Sequence, residues 1–279
     1  MNFKRKVILL LKKILPSKII NILIIFRDIP KKIKINYSKY ILKFLITNIY
    51  DQSNVKLFSL RNFGGSTISR GFHLFSSQPE ISNWIDSFQQ NSCFVDVGAN
   101  IGLYSLYAAK KKHVVLAFEP ESLNFACLNL NIKDNNLQEY ISAYPISLND
   151  SNDISYLNLR DMKFGGSGST FGDCLDESGN KFNPTYKQGS ISFKLDDILK
   201  KKEITVNYIK IDVDGNELNV LKGMQDLLSS ESLKSICIEL NPETIRGKEI
   251  IDMLKKNFAK YEKKQWYKNQ KVFNYIFEK

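Results

Sequence analysis

The sequence is poor in residues that bind transition metals or form disulfides. It holds two histidines, His73 and His113, and four cysteines, Cys93, Cys127, Cys174 and Cys237, with no C-x-x-C pair. That composition argues against a zinc centre, and no metal site is expected. Cys93, Cys127 and Cys237 lie in apolar stretches and read as small core residues, which fits a reducing, cytoplasmic compartment. Long apolar runs are missing too. A spanning helix needs about 20 apolar residues; the best stretch here, Ile19 to Phe26, is short and interrupted by Asn21. The run Val7 to Leu11 is too short for a secretory signal, and no small-residue cleavage site follows it. Glycine (14) and proline (7) are too few for a fibrous or low-complexity chain. What is present is globular: 43% hydrophobic and 12% aromatic over 279 residues, enough for one α/β domain and an appendage.

Acidic residues are nearly absent from the start of the chain. Residues 1–48 carry twelve Lys or Arg and one acid, Asp28, leaving 28 of the 40 basic and 28 of the 29 acidic residues to the rest. The excess positive charge therefore sits on an N-terminal arm, and the body is neutral. A basic groove over the body is not implied, which argues against a nucleic-acid partner. Within the arm, Ile8, Leu11 and Leu15 recur at helical spacing, as do Ile19, Leu23 and Phe26. Lysines flanking such stripes suit an amphipathic helix on an anionic membrane surface, at the inner face of the membrane. A helical extension packed on the core with a solvated basic face fits the same pattern. The expected organisation is a basic arm over 1–50, a flanking segment over 51–90 that could cap a substrate, and a catalytic domain over 91–279.

From Cys93 onward the pattern is regular. Cys93 to Val97 and Val114 to Phe118 read as buried strands, each followed by a helical stretch, Gly102 to Lys112 and Glu121 to Asn131. Ile141 to Leu148 reads as a third strand bent at Pro145. Residues 150–193 break the rhythm with an exposed hairpin strand, Ile154 to Leu159, and a loop running from Phe164 to Thr170. Long irregular segments inside a domain are usually functional or mobile. Order resumes with a short helix at Leu195, a strand over Tyr208 to Val213, a helix over Glu217 to Leu228, a strand over Ile236 to Leu240, a helix over Lys248 to Phe258 and a final strand over Val272 to Phe277. This alternation predicts a Rossmann-like α/β fold with helices on both faces of a parallel sheet.

The chemistry concentrates at the first strand–helix turn, Asp96-Val97-Gly98-Ala99-Asn100-Ile101-Gly102. A dinucleotide turn would read G-x-G-x-x-G, but Asn100 and Leu103 stand at the second and third glycine positions, which disfavours NAD or FAD. S-adenosyl-L-methionine has ribose and adenine but a carboxylate in place of phosphates. A helix start and a polar side chain such as Asn100 can meet that anion. Glu119, at the end of the second strand, is placed to accept hydrogen bonds from both ribose hydroxyls. The candidate cofactor residues are Asp96, Gly98, Ala99, Asn100, Gly102, Glu119 and Ser147.

With these residues in view, the sequence resembles the FkbM family of S-adenosylmethionine-dependent methyltransferases. The resemblance rests on Phe94 through Ser105, on Ala117-Phe118-Glu119-Pro120, on Leu195-Asp196-Asp197 and on Ile209 through Glu217, running on to Met224. It implies a class I methyltransferase sheet of seven strands with the last antiparallel, and O-methylation of a sugar or another hydroxyl-bearing acceptor. The family's usual D-V-E-G is D-V-D-G here, with Asp214 one methylene shorter than the glutamate.

Methyl transfer from a sulfonium needs positioning, and an alcohol acceptor needs a base. Asp212 and Asp214 follow one strand and Glu239 lies near the end of another, so these three are the candidate catalytic carboxylates. Two acids this close should repel and raise one pKa. In the other reading Asp212 holds cofactor and Asp214 caps the following helix. His73 is a secondary base candidate, and His113 lies at the wrong end of the sheet. The expected partner is a small-molecule or glycan acceptor. RNA or protein methylation, or a cofactor-binding module without catalysis, are the alternatives.

Overall fold

The computed structural model describes residues 46–51, 54, 56–71, 74, 78–175, 180–264 and 271–279. The stripes of the basic arm and His73 lie outside them. Strands β1 (Ile46–Tyr50) and β2 (Lys56–Arg61) form a small two-stranded sheet. Helices α1 (Gly65–Gly71) and α2 (Pro79–Asp86) follow. Proline suits the first turn of α2, having no N–H to leave unpaired, and Ile81, Trp84 and Ile85 are buried at helical spacing.

The main body alternates strand and helix: β3 (Cys93–Val97), α3 (Leu103–Lys110), β4 (Val114–Phe118), α4 (Ser122–Asp134) and β5 (Ile141–Tyr144). A second set then interrupts it, namely β6 (Ser147–Leu148), β7 (Asp153–Leu159), β8 (Ser169–Phe171) and β9 (Tyr186–Phe193). The body resumes with α5 (Leu195–Lys202), β10 (Tyr208–Ile211), α6 (Glu217–Lys222), α7 (Gln225–Ser229), β11 (Ser235–Leu240), α8 (Ile245–Lys255), β12 (Lys260–Lys264) and β13 (Phe273–Glu278).

Seven strands join in the order β12-β13-β11-β10-β3-β4-β5. From β11 to β5 all neighbours are parallel, while β13 runs antiparallel to both β11 and β12. The expected seven-stranded sheet with an antiparallel last strand is therefore present. Side chains of a strand alternate between faces, and the core divides accordingly. Phe94, Val115, Tyr208 and Cys237 pack with α2, α3 and α4 on one face. Val95, Leu116, Ile209 and Ile236 pack with α5 to α8 on the other. Burial on both faces explains the unbroken apolar strands that the sequence shows.

Two expected elements differ. The bent strand over Ile141 to Leu148 is two strands, with β5 in the main sheet and β6 paired to β9 in a separate four-stranded sheet. Pro145 lies between them and cannot donate to a ladder. The single helix over Glu217 to Leu228 breaks at Gly223, where a side-chain Cβ would stand 2.0 Å from the Asn149 carbonyl oxygen.

Candidate active site

The strand order reverses between β3 and β10, and open α/β sheets bind ligands beyond the carboxyl ends of the strands at such a point. A cleft opens there. Val97, Gly98, Asn100, Glu119, Ser147, Asp212, Asp214 and Glu239 line it, together with Phe118, Ile146 and Leu148. Of the ten residues expected to form the site, seven thus share one wall system. Asp96, Ala99 and Gly102 are not part of the lining.

Gly98 lets the cleft exist. Its φ is +76°, and a Cβ there would stand 1.9 Å from the Asp212 carbonyl oxygen. Only glycine tolerates both conditions, so the exits of β3 and β10 can touch. Gly102 serves helix packing, because its missing Cβ would meet Leu128 Cδ1 at 2.4 Å.

The turn amides are already engaged. Gly98 and Ala99 both donate to the Phe118 carbonyl, Asn100 donates to Glu119 Oε2 at 2.7 Å, Ile101 to Asn100 Oδ1, and Gly102 to the Ala99 carbonyl. Glu119 also accepts from the Glu121 amide through Oε1 at 2.9 Å. Each carboxylate oxygen keeps a second lone pair, which suits a pair of vicinal hydroxyls. Burial pushes the Glu119 pKa up to about 7, against the pull of those two amides. Ser147 Oγ is buried with no hydrogen-bond partner, an orphan facing the same cleft. A shared-face carboxyl, an unsatisfied hydroxyl and apolar walls fit an adenosyl group.

Beneath the cleft lies a buried ionic cluster that follows from register. Asp96 on β3 pairs with Lys210 on β10, so the two point to the same face of the sheet. Lys210 is 3% exposed; its Nζ is 2.8 Å from Asp212 Oδ2 and 3.8 Å from Asp96 Oδ1. Asp96 Oδ2 accepts from Ser105 Oγ at 2.6 Å in the first turn of α3. Burial raises the Asp96 pKa, with Lys210 and Ser105 opposing. For Asp212 burial pulls upward too, but Lys210 outweighs it and holds the carboxyl below the usual range. Glu239 is pushed well up by burial and by the neighbouring charges of Asp212 and Asp214, and it bonds to Asp212. Of the adjacent pair Asp212 and Glu239, it is Glu239 whose pKa is raised. Asp214, at φ +46°, accepts from the Gly168 amide at 2.6 Å, and the N-cap position of α6 falls to Asn216.

The irregular segment after β7 crosses the cleft. The Gly166 carbonyl accepts from Asn100 Nδ2 at 2.6 Å and from Asn124 Nδ2 at 3.1 Å, and Phe164 stacks on Phe63 with ring centroids 4.3 Å apart. Gly166, Ser167, Ser169 and Arg70 join the lining. Arg70, Gln78 and Asn124 escaped the sequence reading, since single polar residues away from a motif carry no spacing signal. His113 is buried beside Ser92, 2.9 Å from its Oγ, at the amino end of the strands and away from the cleft. Among the described residues, no cluster of three or more His, Cys, Asp or Glu could hold a metal ion. No helix among them is long and apolar enough to cross a membrane.

This strand order, with a cleft walled by a buried acid at the end of β4, is that of a class I methyltransferase, the class whose methyl donor is S-adenosylmethionine. The narrower assignment comes from comparison: the methyltransferase FkbM domain matches residues 96–262, and the chain belongs to that family. The hexuronic acid methyltransferase AglP of Haloferax volcanii is 26% identical over 175 residues, covering 60% of this chain and 64% of AglP. Methyltransferase 1 of Beauveria bassiana is 26% identical over 152 residues, covering 50% of this chain and 61% of that protein. The matches thus span less than two thirds of these relatives. Among solved structures, the METTL16 methyltransferase domain aligns over 91% of this chain and 94% of its own, with 15% identity and a TM-score of 0.47.

Proposed function

We propose that this protein binds S-adenosylmethionine in the cleft beyond β3, β4 and β10 and methylates a hydroxyl of a sugar or glycan. The carrying observation is Glu119, a buried carboxyl at the cleft wall with one amide on each oxygen and one lone pair left on each. In this reading it holds the ribose, and Ser147 Oγ serves the adenine side. The cofactor supplies an activated methyl group. The protein's own work is to position the acceptor and take its proton.

That proton falls to the Asp212–Glu239 pair. Lys210 holds the Asp212 carboxyl below its usual range, while burial and the charges of Asp212 and Asp214 push Glu239 well above its own. Asp212 is therefore the proton acceptor, and Glu239 spreads the incoming charge by its hydrogen bond. Asp214 fastens the loop through Gly168. The sugar acceptor is supported by the hexuronic acid methyltransferase among the relatives. The twelve cations against one acid in residues 1–48 support an anionic membrane surface as a second partner.

The test is incubation of the protein with methyl-labelled cofactor and, separately, cell-envelope glycan, RNA and protein fractions. Label on a glycan oxygen is expected. Label confined to RNA or protein would overturn the acceptor, and binding without transfer to any fraction would overturn catalysis. Removal of residues 1–45 should lower binding to anionic vesicles, and unchanged binding would remove the membrane partner.

A further inference from the structure

The cofactor reading leaves one group of the donor without a partner. Its methionyl tail ends in a carboxylate, and the expected home for that anion is the turn between β3 and α3. The structure closes that home. Every amide from Gly98 to Gly102 is donated within the protein, and Ser105 at the start of α3 is committed to Asp96. The rest of the cleft offers a carboxylate no cationic partner, because its other titratable side chains are the acids Glu119, Asp212, Asp214 and Glu239. Lys210 cannot serve, being buried and bound to Asp212 at 2.8 Å.

Among the described residues lining the cleft, one cation remains, Arg70 on α1. It is half-buried, and its hydrogen bonding among the described residues is confined to Nε, which donates to the Gly165 carbonyl at 3.4 Å. The rest of the guanidinium fork is left for a ligand. Its charge reaches Glu119 and Asp212, so it faces the same space. The mount is firm. Gly165 packs so closely on α1 that a Cβ would stand 3.0 Å from the Thr67 amide nitrogen, and Thr67 Oγ1 bonds to the Gly64 carbonyl at 2.9 Å.

We propose that Arg70 is the carboxylate anchor of the cleft and holds the methionyl carboxylate of the cofactor. This rests on the S-adenosylmethionine reading above. A planar fork with several donors matches a carboxylate better than any other group in the cleft. A single fixed cation among four acids also complements a ligand with one anionic end and a cationic sulfonium and amine.

The test measures calorimetric affinity of the full chain for S-adenosylhomocysteine and for 5′-methylthioadenosine, which lacks the amino acid tail. The variants are Arg70→Gln and Arg70→Lys, each checked for folding by near-ultraviolet circular dichroism. Arg70→Gln should weaken S-adenosylhomocysteine about 10- to 100-fold and leave methylthioadenosine within about twofold. Arg70→Lys, which keeps charge but not the fork, should fall between. S-adenosylhomocysteine affinity unchanged in both variants overturns the anchor, even if the KM for an acidic acceptor rises, because the arginine would then serve the acceptor's carboxylate. Equal losses for both ligands also overturn it. A wild-type protein that binds neither ligand overturns the cofactor reading itself.

Discussion

Replacing Glu119 by alanine is the sharpest perturbation of the cofactor site. The carboxyl accepts the Asn100 amide at 2.7 Å and the Glu121 amide at 2.9 Å, and it presents its remaining lone pairs to the cleft. Hydrogen bonds to a charged group contribute about 1.5–3 kcal/mol each. Loss of two, partly offset by water entering the gap, should weaken S-adenosylhomocysteine binding by about 3 kcal/mol, or roughly 100-fold. The glutamine variant separates geometry from charge. Its amide NH2 must face one of the two backbone N–H groups, so one donor loses its acceptor at a fold cost of about 1–3 kcal/mol. Its carbonyl oxygen still accepts on the other side, and the affinity loss should be nearer tenfold. Titration calorimetry reads both variants, with thermal melts reporting the fold cost. Alanine and glutamine proteins that fold and bind within twofold of wild type would refute the ribose role of Glu119.

Three further outcomes follow from the same geometry. Because the Glu119 pKa is raised to about 7, the cofactor-free fold binds a proton there that the ionised, ligand-accepting form must release; affinity should rise about tenfold from pH 6 to pH 8 and level off, with Glu119→Gln flat, and a flat wild-type profile would contradict it. Gly98→Ala forces a Cβ to 1.9 Å from the Asp212 carbonyl at φ +76°; strain and overpacking of about 2–5 kcal/mol should lower the melting temperature by roughly 10 °C, and a drop under about 2 °C would show that the two strand exits need no close approach. Lys210→Met strands Asp96 as a buried anion beside the part-exposed Asp212, costing about 3–5 kcal/mol at pH 7; the Asp96 pKa, already raised by burial, loses the opposing pull of Lys210 and rises further above its unfolded value, so the loss should shrink as the pH falls toward 5, and urea melts showing equal losses at both pH values would argue against the cluster.

The strands buried on both faces were legible residue by residue. Cys93–Val97 and Val114–Phe118 stand where their apolar runs predict them, because a central parallel strand has no polar face to blur the pattern. Strand β12, with the sequence KYEKK, was illegible, since an edge strand is held by its partner's backbone and its four leading residues are exposed. Strand β9 was hidden likewise, with Gly189 in its middle and most of its side chains outside the core. In the site, the motif residues Gly98, Asn100 and Glu119 could be read from local spacing. The Asp96–Lys210 pair depends on the register of two strands over a hundred residues apart, which no local pattern encodes. Arg70 reaches the cleft from an element before the motif, so its place there is set by tertiary packing alone.

The charged strand β12 also governs how the molecule meets others of its kind. A sheet edge is a template of unpaired amides and carbonyls on which a foreign strand could grow. Here that border carries Lys260 and Lys263 in the open, and Lys264 beside them is tied to Glu262. Two copies docking border to border would crowd ammonium groups together before any ladder could form. Among the described residues the hydrogen-bonded sheet ends at this rim, where like charges oppose the addition of a further strand.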